Sequence, residues 1–141
     1  MELSSRTMYA LKFMLHLALE NGHRVLSINE VATKEDLSIK FLENVVATIK
    51  SSGLIKVKRG AKGGYLLAKS ASLISLKEII ELFEPLESSN LEPTSATTNI
   101  DLSIRKQIKD IEKTINKSLQ EKTLKDLVAI FETTSSQMFY I

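Results

Sequence analysis

Ser38 to Lys69, SIKFLENVVATIKSSGLIKVKRGAKGGYLLAK, changes its hydrophobic period in the middle. Up to Ile49 the apolar residues Phe41, Leu42, Val45, Val46 and Ile49 recur at helical spacing, with Lys40, Glu43, Asn44 and Lys50 off that face. Ser52-Gly53 closes the helix. From Leu54 the period is two. Ile55 and Val57 alternate with Lys56 and Lys58, and a matching strand follows at Tyr65 to Ala68, joined by Arg59-Gly-Ala-Lys-Gly-Gly64. One helix followed by a basic two-stranded hairpin is the layout of a winged nucleic-acid-binding domain. The stretch holds seven of the nineteen basic residues and one acid, Glu43, a net charge of +6, while the rest of the chain sets twelve cations against sixteen acids. The overall +2 conceals a segregation of charge that suits a polyanion binder.

Working outward, Ser27-Ile-Asn-Glu30 is a capping box that opens a short helix to about Lys34. Residues 5 to 21 form a first helix, apolar almost all round between Phe13 and Leu19 and ended by Asn21-Gly22. Such a helix is expected to pack its own domain and a second chain. On the other side, Ser75-Leu-Lys-Glu78 starts a helix to about Glu84, stopped by Pro85. Residues 86 to 99 read as a mobile loop. Ile100, Ile104, Ile108, Ile111, Ile115 and Leu119 then draw an apolar seam along a long helix. Thr123-Leu-Lys-Asp126 caps a last short helix to about Phe131, before a polar segment with an apolar tip, Met138 to Ile141.

The expected fold is mainly α with a small β-hairpin: a winged helix-turn-helix domain over 1–84, a flexible loop over 85–99, and a dimerisation helix, short last helix and tail over 100–141, with the first helix also contributing to the dimer. At 141 residues and 43% hydrophobic content, one compact domain with an appendage is the natural size. The chain has no cysteine, which excludes disulfides, thiolate-held zinc, cysteine-held iron–sulfur clusters and a cysteine nucleophile of its own. The apolar run Phe13 to Leu19 is far shorter than the roughly 20 residues of a membrane span, and no signal peptide is read, so a cytoplasmic location is expected.

A helix that follows a short helix and a tight turn is placed to enter a major groove. On it Asn44 suits an adenine edge, Glu43 can accept from a cytosine amino group, Lys40 suits guanine or phosphate, and Ser38 can face a phosphate. The competing reading is an ordinary solvated helix face. Lys56, Lys58, Arg59, Gly60 and Lys62 cluster at the hairpin, where an arginine can enter a narrow minor groove; the competing reading is an edge strand charged only against aggregation. The hairpin lacks GxxxxGK[ST], so a nucleotide phosphate loop is disfavoured. Two isolated histidines, His16 and His23, make no ligand cluster, and no cofactor or catalytic constellation is read. The seam of Ile104, Ile108, Ile111, Ile115 and Leu119 is expected to form a twofold dimer interface, against the alternative of an intramolecular stripe.

These residues bring the chain close to a known group. Met1-Glu-Leu-Ser4 with Tyr9-Ala-Leu11, the Ser38 to Asn44 helix start, Ser52-Gly-Leu54, the Arg59-Gly60 and Gly63-Gly-Tyr-Leu-Leu67 wing, Leu76 with Glu78-Ile79, and Thr123-Leu-Lys-Asp-Leu127 resemble the Rrf-two family of bacterial winged-helix transcription regulators nearly end to end. The resemblance implies a homodimeric repressor on a partly palindromic double-stranded DNA operator. It places Ser38, Lys40, Phe41, Glu43 and Asn44 at groove or phosphate contacts, and Arg59 in the minor groove. Two departures stand out. The three cysteines with which many members hold an iron–sulfur cluster are missing from Leu86 to Ile104, and Thr7-Met8 stands where the family often has Gly-Arg. The ending Phe139, Tyr140, Ile141 is similar to that of the cluster-free branch regulating cysteine metabolism, which implies a cysteine-biosynthesis enzyme, O-acetylserine sulfhydrylase, as partner of the tail. The expected function is therefore a cluster-free DNA-binding regulator without enzymatic activity. The rival is a winged-helix protein-interaction module acting through its dimer helix or tail.

Overall fold

A computed structural model of the chain describes residues 2–87 and 92–138. Ser4 starts the first helix, α1 (Ser5–Leu19), by accepting the Thr7 N–H on its hydroxyl. The sequence reading carried this helix to residue 21. It ends at Leu19 because Asn21 and Gly22 take φ angles of +48° and +77°, which the helix cannot continue through. In the Ser27 capping box, Ser27 accepts the Glu30 N–H at 3.1 Å and Glu30 accepts the Ser27 N–H at 3.5 Å. The box opens α2 (Ile28–Glu35), which stops at Asp36 in the left-handed region. Ser38 caps α3 (Ile39–Ser51), and Gly53, at φ +82°, turns the chain into the hairpin.

The hairpin is antiparallel. In it β1 (Ile55–Lys58) faces β2 (Gly64–Leu67), with Ile55 opposite Leu67 and Lys58 opposite Gly64. One pairing was not foreseen: Leu26 bridges Tyr65 through Tyr65 N–H to Leu26 O at 2.7 Å and Leu26 N–H to Tyr65 O at 3.0 Å. This bridge straps the hairpin to the segment before α2 and explains Gly64, where an added Cβ would lie 2.6 Å from the Leu26 carbonyl oxygen.

A 3-10 turn (Ala71–Leu73) leads to α4 (Leu76–Ile80) on the second capping box. The expectation of a helix to Glu84 is corrected: regular helix stops at Ile80 and turns follow, the residue before Pro85 being driven away from helical ψ. Within the expected loop of residues 86 to 99, 88–91 lie outside the described residues, and the next helix has already begun at its end. That helix, α5 (Asn99–Glu121), starts on a reciprocal cap between Thr98 and Asp101.

Beyond α5 the chain returns to its starting point. The Leu76 N–H donates to Lys122 O and the Leu124 N–H to Ile74 O, each at 2.8 Å. Then α6 (Leu124–Met138) begins, with Thr123 and Asp126 capping each other. The expected stop near Phe131 is wrong. The polar stretch stays helical because the Thr133 and Ser136 hydroxyls donate back to the Ala129 and Glu132 carbonyls at 3.1 and 3.0 Å, so these residues need no break in the helix. Phe139, Tyr140 and Ile141, read as a candidate partner-binding tail, lie outside the described residues.

The core gathers under α1. Phe13 and Met14 meet Leu42 and Ile49 of α3, Ile79 of α4 and Leu124 of α6, all 0% exposed. Each such burial contributes about 1.5–3 kcal/mol against leaving the side chain in water. The α1 surface is less uniformly covered than its composition suggested, with Leu15, His16 and Leu19 only half-buried.

Candidate nucleic-acid interface

The division of faces on α3 follows from its period. Leu42, Val45, Val46 and Ile49 turn inward, whereas Lys40, Glu43, Asn44 and Lys50 are exposed. Ser38 uses one lone pair of its hydroxyl on the Phe41 N–H at 3.2 Å, which leaves the hydroxyl proton to donate elsewhere. Its own N–H donates to the Tyr9 hydroxyl at 3.2 Å. Phe41 is half-buried, packed edge to face against Tyr9 with ring centroids 4.7 Å apart. It belongs to the rim of the core as well as to the expected contact set.

Lys56 and Lys58 share the face of β1 opposite to Ile55, and both are exposed, as are Arg59, Gly60 and Lys62 at the tip. Gly60 takes φ +121°, which side chains rarely adopt, and its carbonyl accepts the Gly63 N–H at 3.0 Å to close the turn. A Cβ on Gly63 would collide with the Lys58 carbonyl. The glycines thus set the shape of the tip, and the cations decorate it. Among the described residues no ion pair engages Lys40, Lys50, Lys56, Lys58, Arg59 or Lys62. No ion pair among the described residues neutralises these charges, so they remain available to an approaching polyanion within a Debye length of about 8–10 Å.

Two features outside this surface bear on it. The Glu84 carboxylate accepts the Ser4 N–H and the Thr7 hydroxyl, each at 2.8 Å, tying the end of the α4 region to the start of α1. The Ser4 backbone N–H, then the Ser4 and Thr7 side chains, hold its carboxyl below the usual glutamate range. On α5, Ile104, Ile108, Ile111 and Ile115 remain 57, 46, 47 and 41% exposed in the single chain, while Leu119 is half-buried.

The sequence reading missed Tyr9 as a support of α3, Leu26 as an anchor of the wing, and Ile39, a large apolar side chain left 45% exposed at the first position of α3. The last continues the repeat of Leu42, Val46 and Ile49 backwards and so looks like core until its exposure is seen.

Comparison with known proteins agrees with this geometry. The family model Rrf2, described as an iron-dependent transcriptional regulator, matches residues 3–130. The HTH-type transcriptional regulator CymR of Bacillus subtilis is 32% identical over 143 residues, covering 100% of both chains. The HTH-type transcriptional regulator IscR of Cereibacter sphaeroides is 36% identical over 86 residues, 60% of this chain and 56% of that one. Among solved structures, that of CymR, described as the global cysteine regulator of B. subtilis, superposes with a TM-score of 0.78 at 29% identity over 92% of this chain and 98% of that one. Staphylococcus aureus CymR superposes at 0.69 with 32% identity over 89% and 96%. Iron, named in the family description, does not fit the donors present. The chain has no thiol, and among the described residues no group of three or more His, Asp or Glu converges on one point. Nor is any helix among those residues long and apolar enough to cross a membrane.

Proposed function

Because this chain belongs to the Rrf2 family of DNA-binding transcriptional regulators, we propose that it acts as a twofold dimeric repressor which reads an operator with α3 and grips it with the wing. The observation that carries this reading is the set of cations on α3 and the hairpin that no ion pair engages among the described residues, in a chain whose remainder is acidic. Lys40, Asn44 and Glu43 supply the donor and acceptor pattern that major-groove edges demand, Ser38 a phosphate contact, and Arg59 with Lys56, Lys58 and Lys62 the contacts to the adjoining minor groove and backbone. The apolar face of α5 supports the dimer, and a dimer places two readers on half-sites about one helical turn apart. No step requires iron.

The test is selection of bound fragments from the source genome with purified protein, followed by affinity against salt on the enriched duplex. Phosphate neutralisation releases counterions, so log affinity must fall linearly and steeply with log salt. Failure to enrich any duplex would favour the rival reading, an interaction module working through α5 or the tail.

The whole-length match to CymR supports a finer proposal, that the regulated genes belong to cysteine metabolism and that Phe139, Tyr140 and Ile141 engage a cysteine-biosynthesis enzyme. Two aromatic rings beside a branched aliphatic side chain suit an apolar pocket. Deleting residues 138–141 is expected to abolish co-purification with O-acetylserine sulfhydrylase, and equal recovery with both forms would dismiss the tail as the contact.

A further inference from the structure

Ile39 is the first residue of α3, and its side chain is 45% exposed. At 100° per residue it lies about 20° from Val46 and from Lys50 and about 40° from Glu43, at the border between the core arc of Leu42, Val45, Val46 and Ile49 and the exposed polar face. Its neighbour Phe41 packs against that core, whereas nearly half of Ile39 remains in water. Its spacing to Leu42 and Val46 accounts for the part of the residue that is covered, and the part left in water adds nothing to the fold. Its nearest exposed companions on the helix, Lys40 and Glu43, are both charged, which leaves Ile39 as the one apolar group on the leading turn of the reading face.

Bases present one apolar group in the major groove, the thymine 5-methyl. We infer that Ile39 is a specificity-determining residue that selects thymine in each half-site through that methyl, beside the polar contacts of Lys40, Glu43 and Asn44. The inference rests on the proposal that α3 reads DNA. Covering a methyl group against Ile39 removes both apolar surfaces from water, an effect of about fourfold in affinity per methyl. Glu43, which repels phosphate and accepts only from donors, cannot supply this preference, and neither can the cations.

The experiment uses the full-length protein and a duplex it has enriched from random sequence. Each thymine of the half-site is replaced in turn by deoxyuridine, which removes the methyl and alters no hydrogen-bonding group. The wild type is expected to lose about three- to fivefold in affinity at one or two positions and nothing elsewhere. In Ile39→Ala the thymine-to-deoxyuridine ratio at those positions should fall to about one, while discrimination at any position read by Asn44, located separately with Asn44→Ala, persists. Indifference of the wild type to every deoxyuridine substitution overturns the inference without recourse to a variant, as does a full ratio retained by Ile39→Ala. If no duplex is enriched at all, the parent reading of α3 fails instead, so the two failures are distinguishable.

Discussion

The Tyr9 hydroxyl accepts the backbone N–H of Ser38 at 3.2 Å while its ring meets the edge of Phe41, so a residue of the first helix holds the start of the third. Through this pair the entry angle of α3, the proposed reading helix, depends on α1 and not only on the α2–α3 turn. Tyr9→Phe keeps the ring and deletes the acceptor. It is expected to cost about 1 kcal/mol of folding stability, and to weaken binding to an enriched duplex while leaving the salt slope unchanged, because every phosphate-neutralising cation is still present. Urea denaturation and a salt titration of binding check both halves.

The wing should supply mainly affinity. Arg59→Ala is expected to weaken operator binding by about 1–3 kcal/mol, and Lys62→Ala to act more evenly across sequences, with the salt slope falling by about one for each phosphate that is no longer neutralised. Unchanged binding of the double mutant at moderate salt would remove the hairpin from the interface.

Ile108→Lys or Ile111→Lys sets an ammonium in the apolar face of α5. If that face pairs two chains, the buried charge must be desolvated, and association should weaken at least tenfold, about 1.4 kcal/mol. Sedimentation at micromolar concentration is the check: an equally tight dimer in both variants would place the interface elsewhere.

Glu84 makes stability depend on pH. Hydrogen bonds from Ser4 and Thr7 depress its carboxyl in the folded chain, so the unfolded chain takes up the proton first. The stabilisation is complete above the ordinary glutamate range and is lost as pH falls through the depressed folded value. Glu84→Gln should therefore be less stable than wild type at neutral pH and converge on it as the solution is acidified. Urea midpoints of the two proteins across that range give the answer, and a constant gap would refute the link.

How much of this was legible in the sequence depended on distance along the chain. The boxes at Ser27–Glu30 and Ser75–Glu78 could be read because their partners are three residues apart and of the usual kind. The equivalent at Thr98–Asp101 was hidden among serines, threonines and prolines that resemble a loop. The hairpin was legible because its period of two is local. The Leu26–Tyr65 bridge was not, since a single pair of backbone bonds leaves no periodic trace. At the candidate interface, the cations of the wing announced themselves by charge, and Glu43 and Asn44 by their place off the apolar face. Tyr9 carried no such mark: an aromatic on a buried helix looks like core until its hydroxyl is seen to reach Ser38. The end of α6 was misjudged because Thr133 and Ser136 look like helix breakers when their back-bonding to the preceding turn is out of sight.

The two backbone bonds joining Leu76 to Lys122 and Leu124 to Ile74 set the far end of α5 back beside the start of α4, so that the stretch beyond Glu84 forms a handle with both roots on the body. A handle can be lengthened, shortened or reshaped without moving its roots apart, and the entropic cost is small, about 0.6 kcal/mol for a doubling of a flexible closed segment. The length and composition of this excursion can therefore change while the residues packed under α1 keep their places, and the absence of cysteine between Leu86 and Ile104 costs that packing nothing. The same attachment has a mechanical corollary: a torque on α5 reaches the body through these two bonds, beside Ile74 and Leu124, and through α4, whose Ile79 is, like them, 0% exposed.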